Sequence, residues 1–246
     1  MRLAGQVALI TGASRGLGLA IARALTAEGA AVACVARAGE ALDDAVASLR
    51  AENARALAMP ADVTREAEVA SAVRATLDQW GRLDIVVLNA GTWQGAPAHE
   101  TSEAQWDLLL DLNLKGAFLT VKHALPPLIA RRRGTIVGIG SLGGLVGQPG
   151  SSAYAASKWG LRGLLESVAL EVKPHRVRVS IVYPHQMNSA GRAIDPGSPE
   201  RDGVVEPAEV AALVAFVCAA PEHVAIGNVT VWPLAAGIRD VMTGGA

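Results

Sequence analysis

The chain has little charge, little cysteine and no long apolar run. Charged residues make up 18% of its 246 positions and the formal net charge is −1, so no single-sign field draws it to nucleic acid or to an acidic membrane surface. The one notable basic run, Arg131-Arg132-Arg133, follows a long apolar helical stretch, where cations suit the negative end of a helix dipole. It reads as a solvated helix end rather than a phosphate-binding patch. The two cysteines, Cys34 and Cys218, sit in apolar contexts with no Cys-x-x-Cys or histidine partner spacing. That argues against a metal or redox site and for buried spectator thiols. No apolar run approaches the ~20 residues of a membrane span. The amino terminus is expected to enter its first strand within a few residues, leaving no room for a signal peptide. The expectation is a soluble, cytoplasmic protein with neither a nucleic-acid nor a membrane partner.

What is present is apolar residue in alternating patterns. At 51% hydrophobic the chain can bury a substantial core as one α/β domain over residues 1–246. Short runs rich in valine and isoleucine predict strands at Gln6–Thr11, Ala31–Ala36, Arg55–Met59, Ile85–Leu88, Thr135–Ile139 and Val177–Tyr183, with a last one at Asn228–Trp232. Between them the spacing predicts helices near 17–28, 40–52, 66–80, 103–131, 153–173 and 207–219. Gly29, Gly81 and Gly134 fall where helix C-caps belong. Repeated strand–helix alternation with right-handed crossovers implies a doubly wound parallel sheet covered by helices on both faces. No long linker or internal repeat divides it.

In such a sheet the ligand crevice lies at the carboxyl ends of the strands. The chemically capable residues collect there: Gly12 after the first strand, Arg37 after the second, Asp62 after the third, Asn89 after the fourth, Ser141 after the fifth and Pro184 after the sixth. The first strand runs into Thr11-Gly12-Ala13-Ser14-Arg15-Gly16-Leu17-Gly18. Its glycines let the backbone turn tightly against a pyrophosphate, and the following helix offers unpaired N–H groups. This is dinucleotide binding on a Rossmann-type sheet, although the spacing is Gly-x-x-x-Gly-x-Gly rather than Gly-x-Gly-x-x-Gly. NAD sites place an acid at the end of the second strand; here that end reads Val35-Ala36-Arg37-Ala38. Arg37, with Arg15 in the glycine loop, suits a 2′-phosphate, so NADP(H) is the expected cofactor.

Residues 154–158 read Tyr-Ala-Ala-Ser-Lys. On a helix Tyr154 and Lys158 share a face. Bringing a phenol from its usual value to neutrality takes roughly 3 units, about 4 kcal/mol. One cation about 4 Å away at an effective dielectric near 20 supplies about as much.

With Thr11–Gly18, Asp62-Val63, Leu88-Asn89-Ala90-Gly91, Asn113, Ser141 and Tyr154–Lys158 in order, the chain resembles the short-chain dehydrogenase/reductase family over nearly its whole length. The resemblance implies hydride transfer between a nicotinamide and a small carbonyl/alcohol substrate. Tyr154 would be the general acid/base, Ser141 would hold the carbonyl oxygen, and Lys158 would hold the ribose hydroxyls and lower the tyrosine pKa. Asn113 would bind a relay water. Asp62 and Val63 would contact adenine, and Asn89, Ala90 and Gly91 would line the cofactor's path. Gly12, Ser14, Arg15, Gly16, Leu17, Gly18, Arg37, Tyr154, Lys158, Pro184 and Ser189 complete the expected cofactor contacts. Pairing of subunits through the two long helices implies a homodimer or homotetramer.

The departures are specific. Where the family has Pro-Gly, this chain has Pro184-His185; a positive φ there would strain a histidine, and the imidazole either contacts substrate or has no chemical role. Ser189 stands at the family's threonine position. The segment at about 185–206 corresponds to the substrate lid, and its variable part, from Ser189 on, is short and rich in Gly, Pro and charge. Near the last strand the family's Asp-Gly-Gly is replaced by Trp232-Pro233-Leu234-Ala235-Ala236-Gly237. Candidate substrate contacts are Trp93, Gln94, Leu142, Gly143, Gln148, His185 and Met187. A 3-oxoacyl-thioester on an acyl-carrier protein is one alternative substrate, with Arg131–Arg133, Arg176 and Arg178 as docking candidates. A non-catalytic NADP-binding regulator is an alternative of another class.

Overall fold

The computed structural model describes residues 1–188, 194 and 198–235. Seven strands form one sheet: β1 Val7–Thr11, β2 Ala31–Ala36, β3 Ala56–Pro60, β4 Ile85–Leu88, β5 Gly134–Ile139, β6 Val177–Pro184 and β7 Asn228–Val231. Their spatial order is β3-β2-β1-β4-β5-β6-β7, and every pairing is parallel. The order reverses between β1 and β4, where Ala8 pairs with Ile85 and Ile10 with Val87. A crevice opens at that switch point, and the glycine turn sits beside it.

The helices are α1 Gly16–Ala27, α2 Glu40–Ala51, α3 Glu66–Trp80, α4 Glu103–Leu110, α5 Gly116–Arg131, α6 Ser152–Val172 and α7 Pro207–Cys218. Residues alternate across a strand, and the core divides accordingly. Ala8 and Ile10 of β1 join Ile21 and Leu25 of α1, Leu42 of α2 and Val214 of α7 on one face. Leu9 joins Val73 of α3, Leu128 of α5 and Leu165 of α6 on the other. Both faces of the sheet are therefore covered, which is why its strands read as near-continuous apolar runs.

The long helix expected over 103–131 is interrupted by a π-helical turn at Asp111–Lys115. A π turn inserts one extra residue without ending the helix, so the apolar pattern continues through it. Gly81 caps α3 in the left-handed conformation, φ 68°, and Gly29 follows α1 at φ 93°. Gly134 does not cap α5. Arg132 takes the left-handed position at φ 51°, and Gly134 begins β5, where a Cβ would lie 2.7 Å from Leu128 Cδ2.

The ends of the expected lid are tied together. Met187 bridges Val205 in parallel. The Asn188 amide donates to Ile194 O and Glu206 Oε1, both at 3.1 Å, and accepts from Ile194 N at 2.9 Å. Ser189, Gly191, Asp195-Pro196-Gly197 and Ala236-Gly237 lie outside the described residues. No helix among the described residues is long and apolar enough to cross a membrane.

Candidate active site

The turn after β1 is built by close approach. Gly12 has φ +67°, and a Cβ there would lie 2.9 Å from Ala90 Cα, while a Cβ on Gly18 would overlap the Gly12 carbonyl oxygen. Gly16 has φ +53° and open space beyond it. The amino end of α1 has no side-chain cap and no acid in its first turn, so its free N–H groups and positive dipole end are available to an anion. That set suits a dinucleotide pyrophosphate. Ser14 is half-buried at this turn, Arg15 exposed and Leu17 buried.

Asn89 braces this turn. Its amide donates to Thr11 O at 2.9 Å and Gly12 O at 3.2 Å, and the Thr11 hydroxyl accepts from Asn89 N and Ala90 N. The Asn89 side chain thus holds β1 to β4 at the switch point, with its donors already engaged. Arg37 is exposed at the end of β2. Asp62 faces its own turn, accepting from Thr64 N and Oγ1 at 2.9 and 2.8 Å; these bonds, chiefly the backbone one, with Arg65 and Arg37 nearby, hold its carboxyl below the usual range. Val63 is buried, and a Cβ on Gly116 would lie 2.8 Å from its Cγ2.

Tyr154 and Lys158 project from the first turns of α6, with Lys158 Nζ 5.9 Å from the phenol ring centroid. Lys158 is buried and donates to Ile139 O at 2.9 Å. Ser141 follows β5, and its hydroxyl accepts from Gly143 N at 3.2 Å. The Tyr154 ring lies along Gly143, where a Cβ would be 3.2 Å from Cε1. Burial raises the Tyr154 pKa and a hydrogen bond with Ser141 works against that, while burial lowers Lys158 to about 8. The expected depression of the phenol by Lys158 is thus not what this arrangement gives. The lysine is aimed at a carbonyl rather than the phenol oxygen, and desolvation dominates both groups.

Asn113 lies in the π turn, buried beside them. Its Oδ1 accepts from Thr92 N at 2.8 Å, and its Nδ2 donates to Thr92 O and Ser157 Oγ, both at 3.0 Å. Ser157 donates onward to Tyr154 O at 2.7 Å. Gly91 fits between these groups, since a Cβ on it would lie 2.9 Å from Asn113 Oδ1 and 3.6 Å from Lys158 Nζ. Thr92 and Ser157 were not singled out from sequence. Ser157 sits inside the Tyr-Ala-Ala-Ser-Lys motif, but its partner is 44 residues away.

The expected substrate contacts separate. Trp93 is 62% exposed, Leu142 buried and Gln148 half-buried. Gly143 adjoins the phenol as above, and Gln94 is half-buried on the Trp93 loop. Met187 is half-buried and packs in part against the core beneath α1 and α7. Pro184 ends β6 and is buried. His185 N donates to Val231 O at 2.8 Å, and its φ is not positive, so the expected strain does not arise. Its ring is half-buried, Nδ1 has no partner among the described residues, and burial lowers its pKa.

The fold and this constellation agree with comparisons to known proteins. A family model described as short chain dehydrogenase matches residues 6–194. The chain belongs to that family and is an oxidoreductase of it. A metagenomic short-chain oxidoreductase solved in complex with NADP is 38% identical, covering 95% of this chain and 99% of that one with a TM-score of 0.83. Carveol dehydrogenase from Mycobacterium avium, solved with NAD, is 28% identical over 94% of this chain and 97% of its own, TM-score 0.84. A 3-oxoacyl-[acyl-carrier-protein] reductase of Synechocystis is 38% identical over 183 residues, covering 74% of each chain.

Proposed function

We propose that the protein is an NADP(H)-dependent oxidoreductase that interconverts a small carbonyl compound and its alcohol, with Tyr154 as general acid/base. The observation that carries this is the convergence of Ser141, Tyr154 and Lys158 at the carboxyl ends of β5 and β6, with Asn113 behind them. Bound NADPH would supply the hydride that reaches the carbonyl carbon. Tyr154 would give its proton to the carbonyl oxygen as that charge develops, a role worth about 10²–10⁴ in rate. Ser141 would donate to the same oxygen and fix it. Lys158 would bind the ribose hydroxyls. The Asn113 amide holds Thr92 and Ser157, and a relay water beside it would connect Lys158 to solvent.

NADP(H) over NAD rests on Arg15 and Arg37 and on the absence of an acid at the end of β2; the neighbour with bound NADP supports it, whereas the neighbour with NAD shows that the fold takes either. The Synechocystis relative favours a second reading, a 3-oxoacyl-thioester as substrate. Trp93, Leu142 and Gln148 would contact the substrate, and His185 would add a polar handle. The exposed apolar side chains of α4, α5 and α6 support a homodimer or homotetramer.

The test is Tyr154→Phe beside the native protein, with a carbonyl panel that includes an acetoacetyl thioester and with NADPH and NADH titrated by fluorescence. Turnover should fall at least ~100-fold while NADPH binding persists, with NADH binding much weaker. Turnover that survives the substitution would remove Tyr154 from the chemistry. A native protein that binds NADPH and turns over nothing would favour the regulator reading, and preference for NADH would remove the roles given to Arg15 and Arg37.

A further inference from the structure

We propose that the protein carries a second anion site, for a phosphate or pyrophosphate group, in an arginine-lined cavity at the amino ends of the strands, on the edge opposite the cofactor crevice. The cavity measures about 310 Å³, and Arg2, Arg132, Arg133, Arg176 and Arg178 all line it. They arrive from the amino terminus, the end of α5, the turn after α6 and β6. The run Arg131–Arg133 looked like a helix end on its own; folding brings three further arginines to it. At about 30 Å³ per water, the space equals about ten waters, enough for more than one phosphate group.

The charge is not cancelled within the site. Two acids, Asp84 and Glu222, also line it. Asp84 is already held by Arg82 at 2.7 and 2.8 Å, by Arg131 at 3.5 Å and by Val7 N at 2.9 Å. Neither of those arginines lines the cavity. Glu222 pairs with Arg133 at 2.9 Å, and Arg2 pairs with Glu28. Arg132, Arg176 and Arg178 have no acid in ion-pair contact among the described residues. Arg178 donates to Thr135 Oγ1 and to the carbonyls of Cys218, Ala220, Pro221 and Val224, neutral groups that satisfy its N–H bonds and leave its charge. Arg132 gives one donor to Pro174 O at 3.0 Å. The opposing field comes from the carboxyl ends of α5, α7 and the turn after α6. At about half a charge each, they offset about 1.5 of three full positive charges, and an anion remains favoured.

The backbone is a second, independent sign. Arg132 and Arg176 have φ of 51° and 58°, two of the three non-glycine residues with positive φ among the described residues. Both are positions where glycine is the ordinary occupant. The backbone N–H of Arg176 donates to Lys173 O at 3.1 Å, but its side chain has no hydrogen bond or ion pair among the described residues, so its guanidinium can offer all five donors. Planar forks of this kind match the oxygens of a phosphate.

The measurement is calorimetric titration with inorganic pyrophosphate at constant ionic strength, on the native chain and on the Arg15→Ala, Arg37→Ala double variant. Both titrations are repeated with saturating NADPH, which occupies the glycine turn as well as the crevice arginines, so pyrophosphate that still binds is not in the cofactor site. One saturable site per chain is expected in the double variant under that condition, with sulfate binding at least about tenfold more weakly. Adding Arg176→Gly should weaken pyrophosphate by about tenfold or more, the worth of one or two charge-assisted bonds. Glycine suits the left-handed backbone, so this variant should melt no lower than its parent, and Arg132→Gly provides the same check at the other wall. The proposal is overturned by no saturable binding at millimolar pyrophosphate, by binding that both glycine variants retain, or by sulfate binding equally well.

Discussion

Lys158 sits in an environment that opposes its charge: 5% exposed, with a single carbonyl partner among the described residues and a pKa lowered from 10.5 to about 8. Because the folded value is the lower one, the unfolded chain holds more protons between about pH 8 and 10.5, and burial of this lysine costs less stability as pH rises through that window. Cys34 and Cys218, pushed up to about 12, and Tyr154, raised by burial, act in the opposite sense above about pH 9 to 10. Comparison with Lys158→Met cancels those groups. Between about pH 7.5 and about pH 9, urea unfolding should show the native chain gaining about 1 kcal/mol relative to the variant; parallel curves would mean that the lysine is not depressed. Ser157→Ala tests the neighbouring support. It leaves the buried Asn113 amide short of a partner and should cost about 1–3 kcal/mol of stability, with kcat falling more than cofactor affinity. Unchanged stability and rate would assign Ser157 no positioning role. Tyr154, Lys158 and Ser141 were legible in sequence because their spacing is local or matches a family pattern. Ser157 and Thr92 were not, because each acts through Asn113, which the fold brings to them.

The strands were legible to within about a residue because a sheet covered on both faces needs continuous apolar runs, and Val7–Thr11 or Ile85–Leu88 can be little else. The π turn at Asp111–Lys115 was not legible. One extra residue changes neither the helical propensity nor the apolar spacing enough to register, yet it sets where Asn113 stands. Helix ends divide in the same way. The sequence places the cap of α3 at Gly81, where it is, and the cap of α5 at Gly134, whereas Arg132 takes the left-handed position. An arginine there gives no sequence signal for a positive φ. The Gly81 case allows a clean measurement, since a Cβ at this position meets nothing within 4 Å. Gly81→Ala should therefore cost about 1–2 kcal/mol from backbone conformation alone, read from the denaturant midpoint at constant slope. An unchanged midpoint would show that α3 ends in another conformation in solution.

For the whole molecule, one group of exposed large apolar side chains lies on the helices that carry the site. Leu108 of α4, Phe118 of α5 and Trp159 of α6 are 43%, 46% and 46% exposed, and Trp106 joins them on α4. Trp159 directly follows Lys158, with the Arg162 guanidinium 5.7 Å from its ring. Large apolar side chains grouped on one set of helices mark a surface that another molecule covers, and aromatic residues with arginine are what such surfaces enrich. A second copy of this chain is the expected cover, as the pairing of subunits through these two long helices implies. Light scattering on the eluting protein should give a dimer or tetramer at micromolar concentration, and Phe118→Glu with Trp159→Glu should shift it to a monomer. Each glutamate sits on an exposed helix position, so the isolated subunit keeps its fold, and retained far-UV circular dichroism checks this. A native chain that elutes as a monomer, or a double variant that still pairs, would move the interface away from α5 and α6. Trp159 would then be an exposed neighbour of the site rather than part of its support.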